Sequence, residues 1–274
     1  MKSEYYFHAD DFGRSKEISK NILKCALKGN LNSTSVIVGH ITDYYHTKLK
    51  KIKNINIRLH LNLTEIPQKK ITKNKFLNDL SFFKLIFLKD SYKKKIYDEI
   101  ESQIKEYKRI YKPKNLKIDG HEHVHMIPWI LKYLLKNKKR LRIKEFRNSN
   151  EYLFFPRFND LLNLKYFRNL VACFVLKFFY FIIGSPKLSQ KIFIGTAYSN
   201  LQSEKLILKK LDLLKKKNIK NFEILLHPGL TKNKDKKLFK KYYFKFYKSI
   251  NRKKEFDICL SKKIKKKLEL VNEN

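Results

Sequence analysis

At 274 residues the chain can bury a sizeable core, and one barrel-sized domain fits that length better than two. Its 63 Lys and Arg against 25 Asp and Glu give a formal net charge of +38 at pH 7. Such a balance suits nucleic acid, an anionic membrane surface or a phosphorylated glycan. However, lysine is scattered with asparagine and isoleucine, as an AT-rich coding sequence would yield, which favours simple solvation. Three cysteines, Cys25, Cys173 and Cys259, show no C-x-x-C spacing. They exclude a disulfide scaffold and a zinc ribbon, and read as buried thiols of a reducing compartment. No apolar signal segment precedes the first strand, which points to a cytoplasmic address.

In chain order, Tyr5–Ala9 predicts a strand that runs into Asp10-Asp11-Phe12-Gly13-Arg14-Ser15, with a helix from about Lys16 to Lys28 behind it. Two adjacent carboxylates and a glycine suit the rim of a parallel α/β sheet. There one carboxylate can bind a metal while its neighbour serves as a base. The plainer reading is an Asx turn with Ser15 as the helix N-cap. Strand Ser33–Val38, a short helix near Tyr44–Lys51 and strand Asn56–Leu61 follow. Strict alternation after Arg58 puts Arg58, His60, Asn62 and Thr64 on one face. The polar stretch Glu65–Lys75 has few order signals and fits a flap over a site.

A long amphipathic helix, about Lys94–Tyr111, precedes strand Leu116–Asp119 and the most informative stretch of the chain. It reads Asp119-Gly-His121-Glu-His123-Val-His125, holding three of the eight histidines. On a continued strand the three imidazoles and Asp119 would share one side. Neutral imidazole is a common transition-metal ligand, oriented by nearby carboxylates. A solvated histidine-rich turn at a helix start is the alternative. Pro128 opens a helix near N1, and strand Ile143–Arg147 comes next.

The aromatic, basic stretch at about 157–188 reads as a helical insertion on the substrate side. Its apolar part, Leu170–Ile183, is broken by Lys177 and falls short of the ~20 residues a spanning helix needs. It reads as a core helix, as a wall of a substrate groove in which Phe178 and Phe179 make contact, or as an interfacial helix among Lys165, Arg168 and Lys177. Strand Ile192–Gly195, helix Ser203–Lys216 and strand Phe222–Leu226, ending in His227-Pro-Gly229, complete the pattern, with Lys- and Tyr-rich helices behind. Repeated β-then-α units without internal repeat or linker argue one α/β domain, residues 1–274, whose parallel sheet closes as a barrel. Polar residues gather at the C-terminal ends of its strands, where barrels keep their chemistry.

Taken together and in this order, His-Ala-Asp-Asp-Phe-Gly, Ser33-Thr-Ser35, His60-Leu-Asn-Leu-Thr64, Asp119-Gly-His-x-His-Val-His125 and His227-Pro-Gly229 resemble the YdjC/ChbG/HpnK family of metal-dependent carbohydrate deacetylases. The resemblance runs from Tyr5 to about Leu270, with His8 standing where asparagine is commoner. It implies a distorted, seven-stranded (β/α) barrel that removes acetyl groups from an N-acetylated sugar. By motif, Asp11, His60 and His121 would ligate one divalent ion, Asp10 would be the general base and His227 the general acid. His123, His125 and Arg147 are expected around the site or against substrate. The Asp/His₂ set favours zinc on ligand grounds, and the resemblance admits magnesium. The sugar is left open between an oligosaccharide, a glycan precursor and a lipid-linked or anionic form. Peripheral contact with an anionic membrane and a homodimer are compatible with this reading. A phosphoesterase using the same ligands is the enzymatic alternative. A basic nucleic-acid-binding protein is the alternative from another class, and it leaves the ordered motifs unexplained, so no specific nucleic acid is expected.

Overall fold

The computed structural model describes residues 5–65, 80–153 and 162–272. Seven strands form one parallel sheet: β1 (Tyr6–Phe12), β2 (Ser33–Val36), β3 (Asn56–Leu61), β4 (Leu116–Gly120), β5 (Ile143–Phe146), β6 (Ile192–Ile194) and β7 (Phe222–Leu226). Their spatial order is β5-β4-β3-β2-β1-β7-β6, so the first strand sits in the interior, between β2 and β7. The sheet curls into a half-barrel. Among the described residues its edges do not pair as strands. The chain just beyond β5 spans that seam through a bridge from Glu151 to Phe193, with Tyr152 N–H donating to the Phe193 carbonyl at 3.0 Å. The sheet is therefore the distorted barrel expected from sequence, its two edges linked by this bridge and by the Ser189 N–H on the Phe146 carbonyl at 2.9 Å.

Apolar helix faces cover the sheet. In α1 (Lys16–Lys28) Ile18 and Ile22 are buried, and the Ser15 hydroxyl caps the helix by accepting the Ile18 N–H at 3.2 Å. Helices α2 (Asp43–Lys50) and α3 (Phe82–Ile86) are short. Helix α4 (Asp90–Tyr111) turns Ile96, Ile100, Ile104 and Tyr107 inward toward β3, a helical repeat that makes it a cover for the sheet. Each such side chain stabilises the fold by about 1.5–3 kcal/mol. Helix α5 (Pro128–Lys136) begins with proline at its first turn, as expected. Helix α6 (Leu164–Ile182) lies within the 157–188 stretch and packs on α5, while α7 (Glu204–Lys216) is capped by Ser203. The chain ends in α8 (Lys241–Lys248), α9 (Ile250–Leu260) and α10 (Lys262–Asn272), with α9 against α1 and α10 against α7. Cys25, Cys173 and Cys259 are buried and unbridged. Among the described residues no helix is long and apolar enough to cross a membrane.

Strands β3 and β7 occupy the spans read from sequence, but β1 runs through both aspartates rather than stopping before them. Neither carboxylate turns back to cap α1. The bridging registers leave one more residue on β1 than on β2 between the Ala9 and Phe12 pairs, a bulge at Asp10-Asp11. Asp11 takes a left-handed φ of 72° there. Just beyond, Gly13 has φ +91° and lies so close to the residue after β2 that a Cβ would sit 2.1 Å from the Ile37 carbonyl oxygen, so only glycine fits. The stretch read as a flap falls, from residue 66 onward, outside the described residues.

Candidate functional site

The bulge decides which way two carboxylates point. Neighbouring residues on a regular strand face opposite sides, yet Asp10 and Asp11 both line one cavity of about 430 Å³ at the C-terminal ends of the strands. His60, from β3, and His121, immediately after β4, line it too. Asp11 Oδ1 lies 3.0 Å from His121 Nδ1 and 3.5 Å from His60 Nε2. His60 Nδ1 meets Asp119 Oδ1 at 2.7 Å, because His60 and Asp119 are register partners across β3 and β4. That bond fixes the ring and turns Nε2 toward the cavity. Asp11 Oδ2 and His121 Nε2 are buried and without a hydrogen-bond partner. One ligand atom from each of Asp11, His60 and His121 lies within 4.8 Å of the others, so the group could hold a metal ion.

Charge follows the same arrangement. Burial alone would lower the histidine pKa values, but the carboxylates outweigh it. Asp10 and Asp119 push His60 up to about 9, and Asp11 with Glu65 pushes His121 up to about 10. Burial likewise opposes ionisation of Asp11, and the two imidazoles overcome it and hold the carboxyl well below its usual range. Glu65, 3.6 Å from His121 Nε2, is itself gripped by Arg14 through Nε at 2.8 Å and Nη2 at 2.5 Å.

Asp10 has a different environment. Arg147 donates to both its oxygens, at 3.0 and 2.9 Å, and the Ser35 hydroxyl donates at 2.7 Å. His8 Nε2 is 3.0 Å from Oδ1. Burial would raise its pKa, but Arg147 and then His60 keep the carboxyl ionised, well below the usual range. Arg147 also reaches Asp119 at 2.8 Å and Glu223 at 2.7 Å, and Arg58 lies 2.9 Å from the other Glu223 oxygen. His227, directly after β7, also lines the cavity; its backbone N–H is on Glu255 at 2.5 Å, with Nδ1 3.9 Å from the same carboxylate oxygen. Burial first and Arg252 second lower its pKa.

The three closely spaced histidines do not share a strand face. β4 ends at Gly120, and His121–Met126 form a 3-10 turn in which Glu122 (φ 51°) and His123 (φ 58°) are left-handed. Each such residue costs roughly 1–2 kcal/mol, so two adjacent ones plus Asp11 concentrate strain at this rim. The turn sends the rings apart. His121 joins Asp11, and His123 lines the cavity with Nε2 3.1 Å from the Thr196 hydroxyl. His125 is fully buried, its Nε2 3.1 Å from the Arg147 carbonyl oxygen. Nor is this a solvated turn, since His121 and His125 are both buried. His125 and Arg147, expected around the site or against substrate, are not among the residues lining the cavity; Arg147 holds Asp10, and its carbonyl lies against His125.

Helix α6 does form a wall, but not with the residues expected. Asn169, Ala172, Val175 and Leu176 line the cavity, whereas Phe178 faces solvent and Phe179 is core, stacked on Phe82 at 6.4 Å. Sequence reasoning also missed Glu65, Glu223 and Glu255. Glu223 had a visible signal, a lone carboxylate inside the apolar run Phe222–Leu226. Glu255 lies on a helix of ordinary composition and had none.

The sheet and its rim thus define a distorted (β/α) barrel with an Asp/His₂ group at the C-terminal ends of its strands. A family model described as YdjC-like protein matches residues 6–270, and the chain belongs to that family. A carbohydrate deacetylase of Mus musculus is 26% identical over 132 residues, 44% of this chain and 43% of that protein. One of Vibrio cholerae is 24% identical over 161 residues, 56% of this chain and 63% of that protein. The chain therefore spans less than two thirds of the length of these curated relatives. The crystal structure of an Enterococcus faecalis protein named for cellobiose-phosphate cleavage superposes with a TM-score of 0.66 at 16% identity, covering 99% of this chain and 96% of that one. At that identity the likeness is one of fold.

Proposed function

We propose that the chain is a metal-dependent hydrolase that removes the acetyl group from an N-acetylated sugar. One observation carries the reading: the Asp11, His60 and His121 group, with loose ends, shares its cavity with a second ionised carboxylate, Asp10. The trio fits a small divalent ion. Its 3.5 Å oxygen-to-nitrogen spacing suits two ligands around one centre with bonds of about 2.0–2.2 Å, and Asp11 Oδ2 and His121 Nε2 are buried without a hydrogen bond. An ion held there acidifies a water and polarises an amide carbonyl. The donor set suits zinc, and magnesium is the alternative.

Asp10 accepts the proton of the attacking water. Fixed by Arg147, Ser35 and His8, it is a weak base, suited to a water that an ion held by Asp11, His60 and His121 would acidify. His227 returns a proton to the leaving amine. Burial and Arg252 favour its neutral form at rest, so the ring gives up a proton readily once it carries one, and Glu255 offsets the charge. His123 and Thr196 offer polar contacts to substrate, and Tyr242, Tyr243 and Phe246 offer aromatic faces suited to a sugar ring. Arg147 and His125 position these groups from behind. The deacetylase names of the relatives support the same reading. A phosphoesterase would be expected to gather cations around the phosphate. Among the described residues Arg168 is the one Lys or Arg lining the cavity.

The test is a panel of N-acetylated sugars incubated with the chain and added zinc, magnesium or chelator. Metal-dependent acetate release is expected. Phosphate release from sugar phosphates with no acetate release from any substrate would replace this reading with the phosphoesterase one.

A further inference from the structure

The outer side of α6 is not explained by the chemistry. Leu164, Phe167, Val171, Phe174, Phe178 and Phe181 recur at alternating steps of three and four, which places them in one stripe along the helix. They are 49% to 85% exposed, while Tyr166, Cys173, Leu176 and Phe179 on the opposite side are buried. A stripe of this size on a surface marks an interaction site. The neighbouring α3 extends it. Phe82 stacks on Phe179, and beside it Phe83 and Phe87 are 73% and 81% exposed. Two residues of this patch, Val171 and Phe83, also line the cavity, so the apolar surface runs up to the cavity mouth.

Charge selects the occupant. Helix α6 carries Lys165, Arg168 and Lys177, all exposed, and no carboxylate; Lys187 follows it. A second copy of the chain would set these cations against their own images, on molecules of formal charge +38, with no acid on the helix to pair them. Anionic lipid headgroups meet both features at once. Phenylalanines enter the acyl boundary and the flanking cations pair with phosphates. The helix, 19 residues and so about 28 Å long, would lie in the plane of the interface rather than across the bilayer.

We propose that the outer face of α6, with Phe83 and Phe87 of α3, docks the protein on an anionic lipid surface and sets the cavity mouth at headgroup level. Under the deacetylase reading, on which this last consequence rests, the placement suits a sugar presented at a membrane.

The test is flotation of the full chain with phosphatidylcholine vesicles, with and without phosphatidylglycerol. The wild type should float with the anionic vesicles. The triple variant Phe174→Ser, Phe178→Ser, Phe181→Ser should bind at least about tenfold more weakly. Its melting temperature and its acetate release from a short soluble sugar should be unchanged, since none of the three lines the cavity. Equal binding by both proteins would reduce the effect to bulk charge and overturn the proposal. So would a wild type that ignores vesicles but sediments as a dimer broken by the triple variant. Phe178→Trp gives a second readout if the triple variant misfolds. Its emission, relative to wild type, should shift to the blue on anionic vesicles, and no shift would count against docking. Failure of the deacetylase reading would show separately, as absent acetate release with the vesicle result intact.

Discussion

Two groups of the same residue types lie side by side at the strand ends, and they are built for opposite purposes. His8, Asp10 and Asp119 also bring ligand atoms within 4.8 Å of one another, as Asp11, His60 and His121 do. In the first group, however, a guanidinium already fills the centre: Arg147 faces Asp10, Asp119 and Glu223, and Arg58 faces the remaining Glu223 oxygen. In the second, no Lys or Arg among the described residues is paired with Asp11, and Asp11 Oδ2 and His121 Nε2 have no hydrogen-bond partner, although Glu65 faces Nε2 at 3.6 Å. Residue type and proximity do not distinguish a metal site from a structural ion network. What distinguishes them is whether a protein cation already occupies the position.

Several substitutions would break or sharpen that contrast. The largest effect on function is expected from His60→Ala and His121→Ala, which should each lose bound metal and nearly all acetate release while remaining folded. Elemental analysis of wild type should find one metal ion per chain; two would mean that the Arg147 group also binds one. Asp10→Asn should keep that ion and lose about 10²–10⁴-fold in kcat, since a proton acceptor is removed and no ligand is. Asp11→Asn should weaken metal binding itself. Identical behaviour of the two variants at saturating metal would erase the division between the groups.

The structural group should respond in stability. Arg147→Met leaves three buried carboxylates without their shared cation, and about 3–5 kcal/mol should be lost in denaturant unfolding. A loss below about 1 kcal/mol would show that the network is relaxed or hydrated rather than close-packed. The smallest effect concerns a histidine outside both groups. His46, buried with Nδ1 on the Tyr111 hydroxyl at 2.7 Å, has its pKa lowered by burial from 6.5 to about 4. It binds its proton more readily when unfolded, so the stability it confers is present above pH 6.5 and is lost as pH falls toward about 4. His46→Gln should reduce the fall in melting temperature between about pH 7 and about pH 5. An unchanged fall would remove His46 as a source of acid sensitivity.

Much of the molecule was legible because local pattern and tertiary outcome agree. Strands β3 and β7, the Ser15 cap and the Pro128 helix start follow from alternation, capping chemistry and a fixed proline φ. The ordered motifs indicated which residues belong near one another. Reading failed where long-range contacts override the local pattern. His121, His123 and His125 alternate like strand residues, yet the chain leaves the sheet at Gly120 and scatters them through two left-handed residues. Phe178 and Phe179 are adjacent and equally apolar on a helix with apolar residues on both sides, and only the packing of α6 decides that Phe179 is core and Phe178 faces solvent.

By itself the sequence determined the succession of strands and helices, the presence of Asp and His at strand ends, and the apolar character of the segment that becomes α6. All of these are set by residue type and by periods of 2 and 3.6. Only the tertiary structure decided that Asp10 and Asp11 face one cavity. That depends on a bulge, whose extra residue is defined only against the partner strand β2. It also decided that Arg147, 137 residues from Asp10 in the chain, neutralises one carboxylate group and leaves the other open. Such a choice has no local signature, because an ion network is specified by distances in space, which no spacing along the chain encodes.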